Sequence, residues 1–208
     1  MNVYLARHGE TTWNLAGRYQ GRRESSLTPL GVAQAAALAA AMSGARIGRV
    51  VASPMLRTTA TAQPVADALG LALETDDRLI EIAHGTWEGR LRDEIARNDA
   101  ARYRAWRHDP ANAVFIGGET VPQVRERWRD FARSFAGDVP ALVVTHDAVV
   151  RVALVEALGR ELDAFWDVAV ENGAYALFEV EDGHWTLLEQ CVRAHLGELR
   201  AKVESQAL

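Results

Sequence analysis

Four groups of side chains in this sequence could do chemistry together, and each one ends or interrupts an apolar run. Arg7-His8 follows Val3-Tyr4-Leu5-Ala6, Ser53 and Arg57 follow Arg49–Ala52, His146 follows Ala141–Thr145, and Glu81 lies inside the run 79–82. Two guanidiniums present planar donor forks that suit the oxygens of a phosphate. A histidine nitrogen can attack phosphorus and split one displacement into two easier ones. A carboxyl such as Glu81 can protonate the leaving oxygen and later take a proton from water. No metal-ligand set is apparent, so fixed cations would stabilise the transferring phosphoryl group.

Arg57 falls in the first turn of an expected helix, where the dipole disfavours a cation, and this argues for an anionic ligand. Glu81 within an apolar run is costly to bury unpaired, which favours a functional role. His84, His108, His184 and His195 lack such context and read as structural or exposed. The tryptophans 87, 106, 128, 166 and 185 read as core or cap packing, and Arg18, Arg22, Arg23 and Arg90 as either a basic rim or a solvated face.

The elements that must position these groups follow from pattern. Strands are expected at 2–6, 49–52 and 141–145, a short edge strand at 71–74, and a further apolar run at 79–82 before the glycine turn His84-Gly85-Thr86-Trp87-Glu88-Gly89. Helices are expected from the Thr28-Pro29 cap to Gly44, over 55–70 with Pro64 kinking or splitting it, over 92–108, from Thr120 to about 135, and over 147–159. The alternating segments 174–180 and 185–189 flank Glu181-Asp182-Gly183, a hairpin signal. Apolar strands alternating with helices predict an α/β fold of three αβα layers around a mainly parallel sheet, with a C-terminal hairpin. The polar segment from about 90 to 118 is expected to form a small helical cap, and residues 1–208 to form a single domain. In open sheets of this type ligands bind at the carboxyl ends of the strands, which would bring the four groups to one edge.

Composition narrows the partners. A formal net charge of −5 across 208 residues argues against nucleic-acid and membrane surfaces as partners, so an anionic ligand needs a local basic pocket. With 49% hydrophobic and 25% charged residues, disorder is not expected. The lone Cys191 leaves no internal disulfide and no paired-cysteine metal site. The N-terminus lacks the basic region of a signal peptide, and no run approaches the roughly 20 apolar residues of a membrane span. A cytoplasmic protein, monomeric or homodimeric, that needs no cofactor is expected.

Arg7-His8-Gly9-Glu10-Thr11 with Trp13-Asn14 resembles the RHGE/QT motif of the histidine phosphatase superfamily, the branch 1 or phosphoglycerate-mutase-like proteins. The likeness continues, in family order, through Gln20-Gly21, Leu27-Thr28, Gly31, Ser53-Pro54 with Arg57, Glu81 and its glycine turn, Gly118-Glu119-Thr120, and Thr145-His146. The resemblance implies that His8 is the phosphorylated nucleophile and Glu81 the proton donor. It places His146 with them in the catalytic set, and Arg7, Arg57 and His146 around the phosphate. Asn14 would add a side-chain donor, and Gln20 and Gly21 would line the substrate entrance.

The glycine turn after Glu81 resembles the cofactor-independent phosphatase members rather than the ERHYG form of the mutases, and the end 200–208 is short and polar. The expected activity is hydrolysis of a small phosphorylated metabolite. Mutase-type phosphoryl transfer is the alternative within the family, and a non-catalytic phosphate-binding module the alternative from another class. A metal-dependent hydrolase is disfavoured by the ligand pattern.

Overall fold

The computed structural model describes residues 1–201 together with 206 and 207, so 202–205 and 208 of the short polar end 200–208 lie outside the described residues. A six-stranded sheet is built from β1 (Asn2–Arg7), β2 (Arg49–Ala52), β3 (Leu73–Thr75), β4 (Ala141–Thr145), β5 (Tyr175–Glu181) and β6 (His184–Val192). The spatial order is β3-β2-β4-β1-β5-β6. The first four are parallel, and β5 and β6 add to β1 as an antiparallel hairpin. Every residue of β4 is buried, as a parallel strand covered on both faces requires.

Helices α1 (Thr12–Leu15), α2 (Pro29–Met42), α3 (Leu56–Leu69), α4 (Arg92–Asn98), α5 (Ala100–His108), α6 (Val121–Ser134) and α7 (Asp147–Ala157) surround the sheet. Alternate strand residues face opposite layers. Val50, Ala52, Leu142 and Val144 pack with Leu38 and Met42 of α2 and Ala62 and Val65 of α3. Val3, Leu5, Val51 and Val143 pack with Val124 and Phe131 of α6 and Val149 and Val152 of α7. The three-layer αβα arrangement expected from the pattern is the one found.

Local chemistry explains the boundaries. The Thr28 hydroxyl accepts from Gly31 N and Pro29 opens α2, so the helix starts where its free N–H groups are capped. The same start is pressed against the segment after β1: a Cβ on Gly31 would lie 2.0 Å from Glu10 O. Only a residue without a side chain lets the two backbones meet there. The Asp182-Gly183 turn of the hairpin has positive φ at both positions, 49° and 76°, matching strand twist.

Two expectations are revised. Helix α3 continues unbroken through Pro64, because the buried face Thr58, Thr61, Ala62, Val65 and Ala66 holds it on the sheet. That packing offsets a proline penalty of about 3 kcal/mol. The segment 92–108 is two helices divided at Asp99, whose carboxylate accepts from Trp87 Nε1 and Arg102 Nε and holds the chain at a non-helical angle. The apolar run 79–82, to which pattern assigned no element, follows a 3-10 turn at Asp77–Leu79 as an open loop, and Thr145 Oγ1 donates to Leu79 O. Glu81 therefore reaches the sheet edge on a loop.

Candidate active site

Adjacent parallel strands bring the sequence-predicted residues together. Arg7 at the end of β1 pairs with Thr145 at the end of β4, and β4 lies between β1 and β2. Beyond the strands the backbones stay in register: His8 N donates to Thr145 O at 3.0 Å, and Ser53 N donates to Val144 O at 3.0 Å. His8, His146 and Ser53 thus leave the sheet side by side, as the parallel topology requires.

His8 is buried, and its Nδ1 lies 2.7 Å from Gly9 O. A carbonyl can only accept, so Nδ1 carries the proton and Nε2 is the free nitrogen. Burial first, then the charges of Arg57 and Arg7, hold the imidazole well below its ordinary pKa. The ring is neutral at physiological pH, as a nucleophile must be.

Arg57 and His146 stand deeper, both fully buried. The rings of His8 and His146 meet edge to face at 5.3 Å. Arg57 Nε donates to His146 Nδ1 at 3.2 Å, which leaves His146 Nε2 to donate to Ser53 Oγ at 2.8 Å. The other arms of Arg57 donate to Gly21 O and Arg23 O, so one cation ties α3, the second histidine and the 21–23 loop together. Burial lowers its pKa to about 10, and it stays charged at neutral pH.

Arg7, His8, Asn14, Gln20, Gly21 and Glu81 line one cavity of about 340 Å³ including its mouth. Asn14 Oδ1 accepts from Thr11 N at 3.1 Å, leaving its amide nitrogen as the donor. Gln20 Oε1 accepts from the Ser25 hydroxyl at 2.6 Å and stands 3.0 Å from Thr11 Oγ1, whose single proton serves either it or Asn14 Oδ1. Glu81 Oε1 accepts from Ile82 N at 2.9 Å and Ala148 N at 3.3 Å, so Oε2 is the oxygen left to carry a proton. Burial and then the neighbouring Asp147 raise the Glu81 pKa, which favours the protonated acid. Among the described residues no group of three or more His, Cys, Asp or Glu could hold a metal ion, and no helix is long and apolar enough to cross a membrane.

The histidine phosphatase superfamily (branch 1) model matches residues 3–192. The chain belongs to this family. Phosphoserine phosphatase 1 of Hydrogenobacter thermophilus is 33% identical over 201 residues, covering 95% of each chain. The adenosylcobalamin/alpha-ribazole phosphatase of Salmonella typhimurium is 30% identical over 190 residues, covering 90% of this chain and 94% of its own. The solved structure of Bacillus stearothermophilus YhfR superimposes with a TM-score of 0.89 at 28% identity, covering 94% of this chain and 98% of that one.

Within this histidine phosphatase, sequence reasoning passed over several residues at the site. His84 was expected to be structural or exposed, yet it lines the cavity, boxed edge to face by Tyr19, Trp106 and Phe115. Both its ring nitrogens lack a partner among the described residues, and burial holds its pKa down to about 3. Its place three residues after Glu81 was the available signal. Trp106 of α5 also lines the cavity, so the 90–118 segment contributes a wall.

Asp147, directly after His146, is buried 3.4 Å from Arg7 and bonded to Arg151 Nε. Asp147→Asn removes a charge that helps keep Glu81 protonated, while burial remains. The alkaline limb of the kcat/KM profile is expected to move to lower pH, because the folded pKa of Glu81 falls. A limb that stayed in place or rose would remove Glu81 as the titrating group.

Proposed function

We propose that this chain is a phosphomonoesterase that hydrolyses a small phosphorylated metabolite through a phosphohistidine on His8. The observation that carries the reading is the His8 ring, with Nδ1 held by Gly9 O and Nε2 left unprotonated in a cavity that also holds Arg7 and an acid-favouring Glu81. In the first step Nε2 forms a bond to phosphorus, the ester P–O bond breaks, and Glu81 gives its proton to the departing oxygen. In the second, ionised Glu81 takes a proton from water, whose oxygen attacks phosphorus and releases Nε2. Arg7 and the Asn14 amide hold the phosphoryl oxygens; Arg57 and His146 support His8 from behind and add positive field. Gln20 and Gly21 border the entrance. The enzyme works as a single cytoplasmic domain, monomer or homodimer, without a cofactor.

A common phosphoenzyme makes a direct prediction. With a fixed concentration of an added alcohol, phosphoryl transfer should divide between water and the alcohol in the same ratio for every starting ester. Ratios that changed with the leaving group would mean water attacks the ester directly.

The relatives named for phosphoserine and alpha-ribazole support a small substrate. His84 faces the part of that substrate beyond phosphorus as a neutral hydrogen-bonding group. His84→Phe should lower kcat/KM for polar metabolite esters by about 5- to 10-fold, the net worth of a neutral buried hydrogen bond. p-Nitrophenyl phosphate should change by less than about threefold on the same reasoning. Equal losses on both would make His84 a packing residue only.

A further inference from the structure

An unbroken chain of side-chain amides runs from the phosphate-handling arginine to the nucleophile's own backbone. Arg7 Nη2 donates to Gln206 Oε1 at 2.8 Å, and Gln206 Nε2 donates to Asn172 Oδ1 at 2.7 Å. Asn172 Nδ2 then donates to His8 O at 3.1 Å and approaches Asn14 Oδ1 at 3.4 Å. The polarity of this chain is forced from both ends. A guanidinium can only donate and a carbonyl can only accept, so each amide has one possible orientation. Gln206 and Asn172 are both buried, and Ala207 lines the cavity beside them.

The Arg7 guanidinium has no other hydrogen-bond acceptor among the described residues. Its Nε and Nη1 are buried without one, and its ion pair to Asp147 spans 3.4 Å. One hydrogen bond therefore fixes the orientation of the guanidinium that faces the cavity. The same amide chain holds His8 by its carbonyl and Asn14 by its oxygen, so its two members reach three groups that meet the phosphoryl.

We infer that Gln206 and Asn172 are positioning residues of the phosphate pocket, Gln206 aiming Arg7 and Asn172 coupling that aim to His8 and Asn14. Neither touches the reacting atoms; both act through groups that do. The inference rests on the reading of Arg7 as a phosphate ligand, and deepens it by making the residue two positions before the end of the sequence part of the site.

The test is phosphate affinity by calorimetry, using inorganic phosphate, alongside steady-state kinetics. Gln206→Met keeps the length of the side chain and removes both polar atoms. It should weaken phosphate binding and lower kcat/KM by about 10- to 100-fold, the range for a hydrogen bond to a charged group. In an Arg7→Ala background the same substitution should change phosphate affinity by less than about twofold, because the group it positions is gone. Asn172→Ala combined with Gln206→Met should cost less than the product of the single losses. The inference is overturned if Gln206→Met leaves phosphate affinity unchanged, or if its effect is the same with and without Arg7. Phosphate affinity needs no turnover: if the wild-type protein bound phosphate but formed no phosphoenzyme, the catalytic reading would fail while the Arg7–Gln206 coupling could still be measured.

Discussion

Replacing His8 with alanine is expected to lower kcat for any phosphomonoester by about 10⁴-fold or more, because it removes the group that we propose makes the covalent intermediate. The wild-type enzyme quenched during turnover of a labelled ester should carry protein-bound phosphate that is labile in acid and stable in base; His8→Ala should carry none. Since Arg7, Asn14 and Gln206 remain, the variant should still bind inorganic phosphate, which separates loss of chemistry from loss of fold. Persistent turnover near the wild-type rate would remove His8 from its role. The ring's surroundings are what make so large an effect reasonable. It is buried beside two guanidiniums and tethered through Nδ1, so no neighbouring side chain can take up its position.

Glu81→Gln should produce the second largest loss, and one that depends on the substrate. The amide oxygen can still accept from Ile82 N and Ala148 N, so the loop is kept while the transferable proton is lost. For alkyl esters, whose departing oxygen needs a proton, kcat/KM should fall by about 10²- to 10⁴-fold. For p-nitrophenyl phosphate, whose phenolate leaves unaided, the loss in that parameter should be within about tenfold. The sign of the pH dependence follows from the raised Glu81 pKa. Below that pKa the acid is present and phosphorylation proceeds; above it the proton is lost and kcat/KM declines. In Glu81→Gln that alkaline decline should vanish. Equal losses for good and poor leaving groups would assign the acid elsewhere.

Much of this arrangement was legible from residue order because of how parallel sheets are built. Strands β1, β2 and β4 are buried on both faces, so each is an unbroken apolar run, and the residue following such a run must emerge at the ligand-binding edge. This is why Arg7, His8, Ser53 and His146 could be grouped although they lie far apart in the sequence. Glu81 could be singled out by its cost of burial, but its loop could not. Whether 79–82 becomes a strand depends on Thr145 Oγ1 taking Leu79 O, a partner 66 residues away. The break at Asp99 likewise depends on Trp87. Asn172 and Gln206 gave no signal at all, because an isolated amide acquires meaning only from the groups it is brought against.

The place of β1 in the sheet also bears on how the enzyme comes into being. The first strand to be synthesised is one of the two central ones, and its neighbours are β4 and β5. Roughly 130 residues separate the end of β1 from the start of β4. At ~5–20 residues per second the nascent β1 waits on the order of 10 s with both edges unpaired. The segment carrying His8 therefore exists as sequence long before it takes its place in the fold, and the pairing that puts it there closes a very long chain segment, which slows folding. During that interval an apolar strand with open edges is a target for chaperones and for aggregation, whereas a chain interrupted before β4 can have no activity to release.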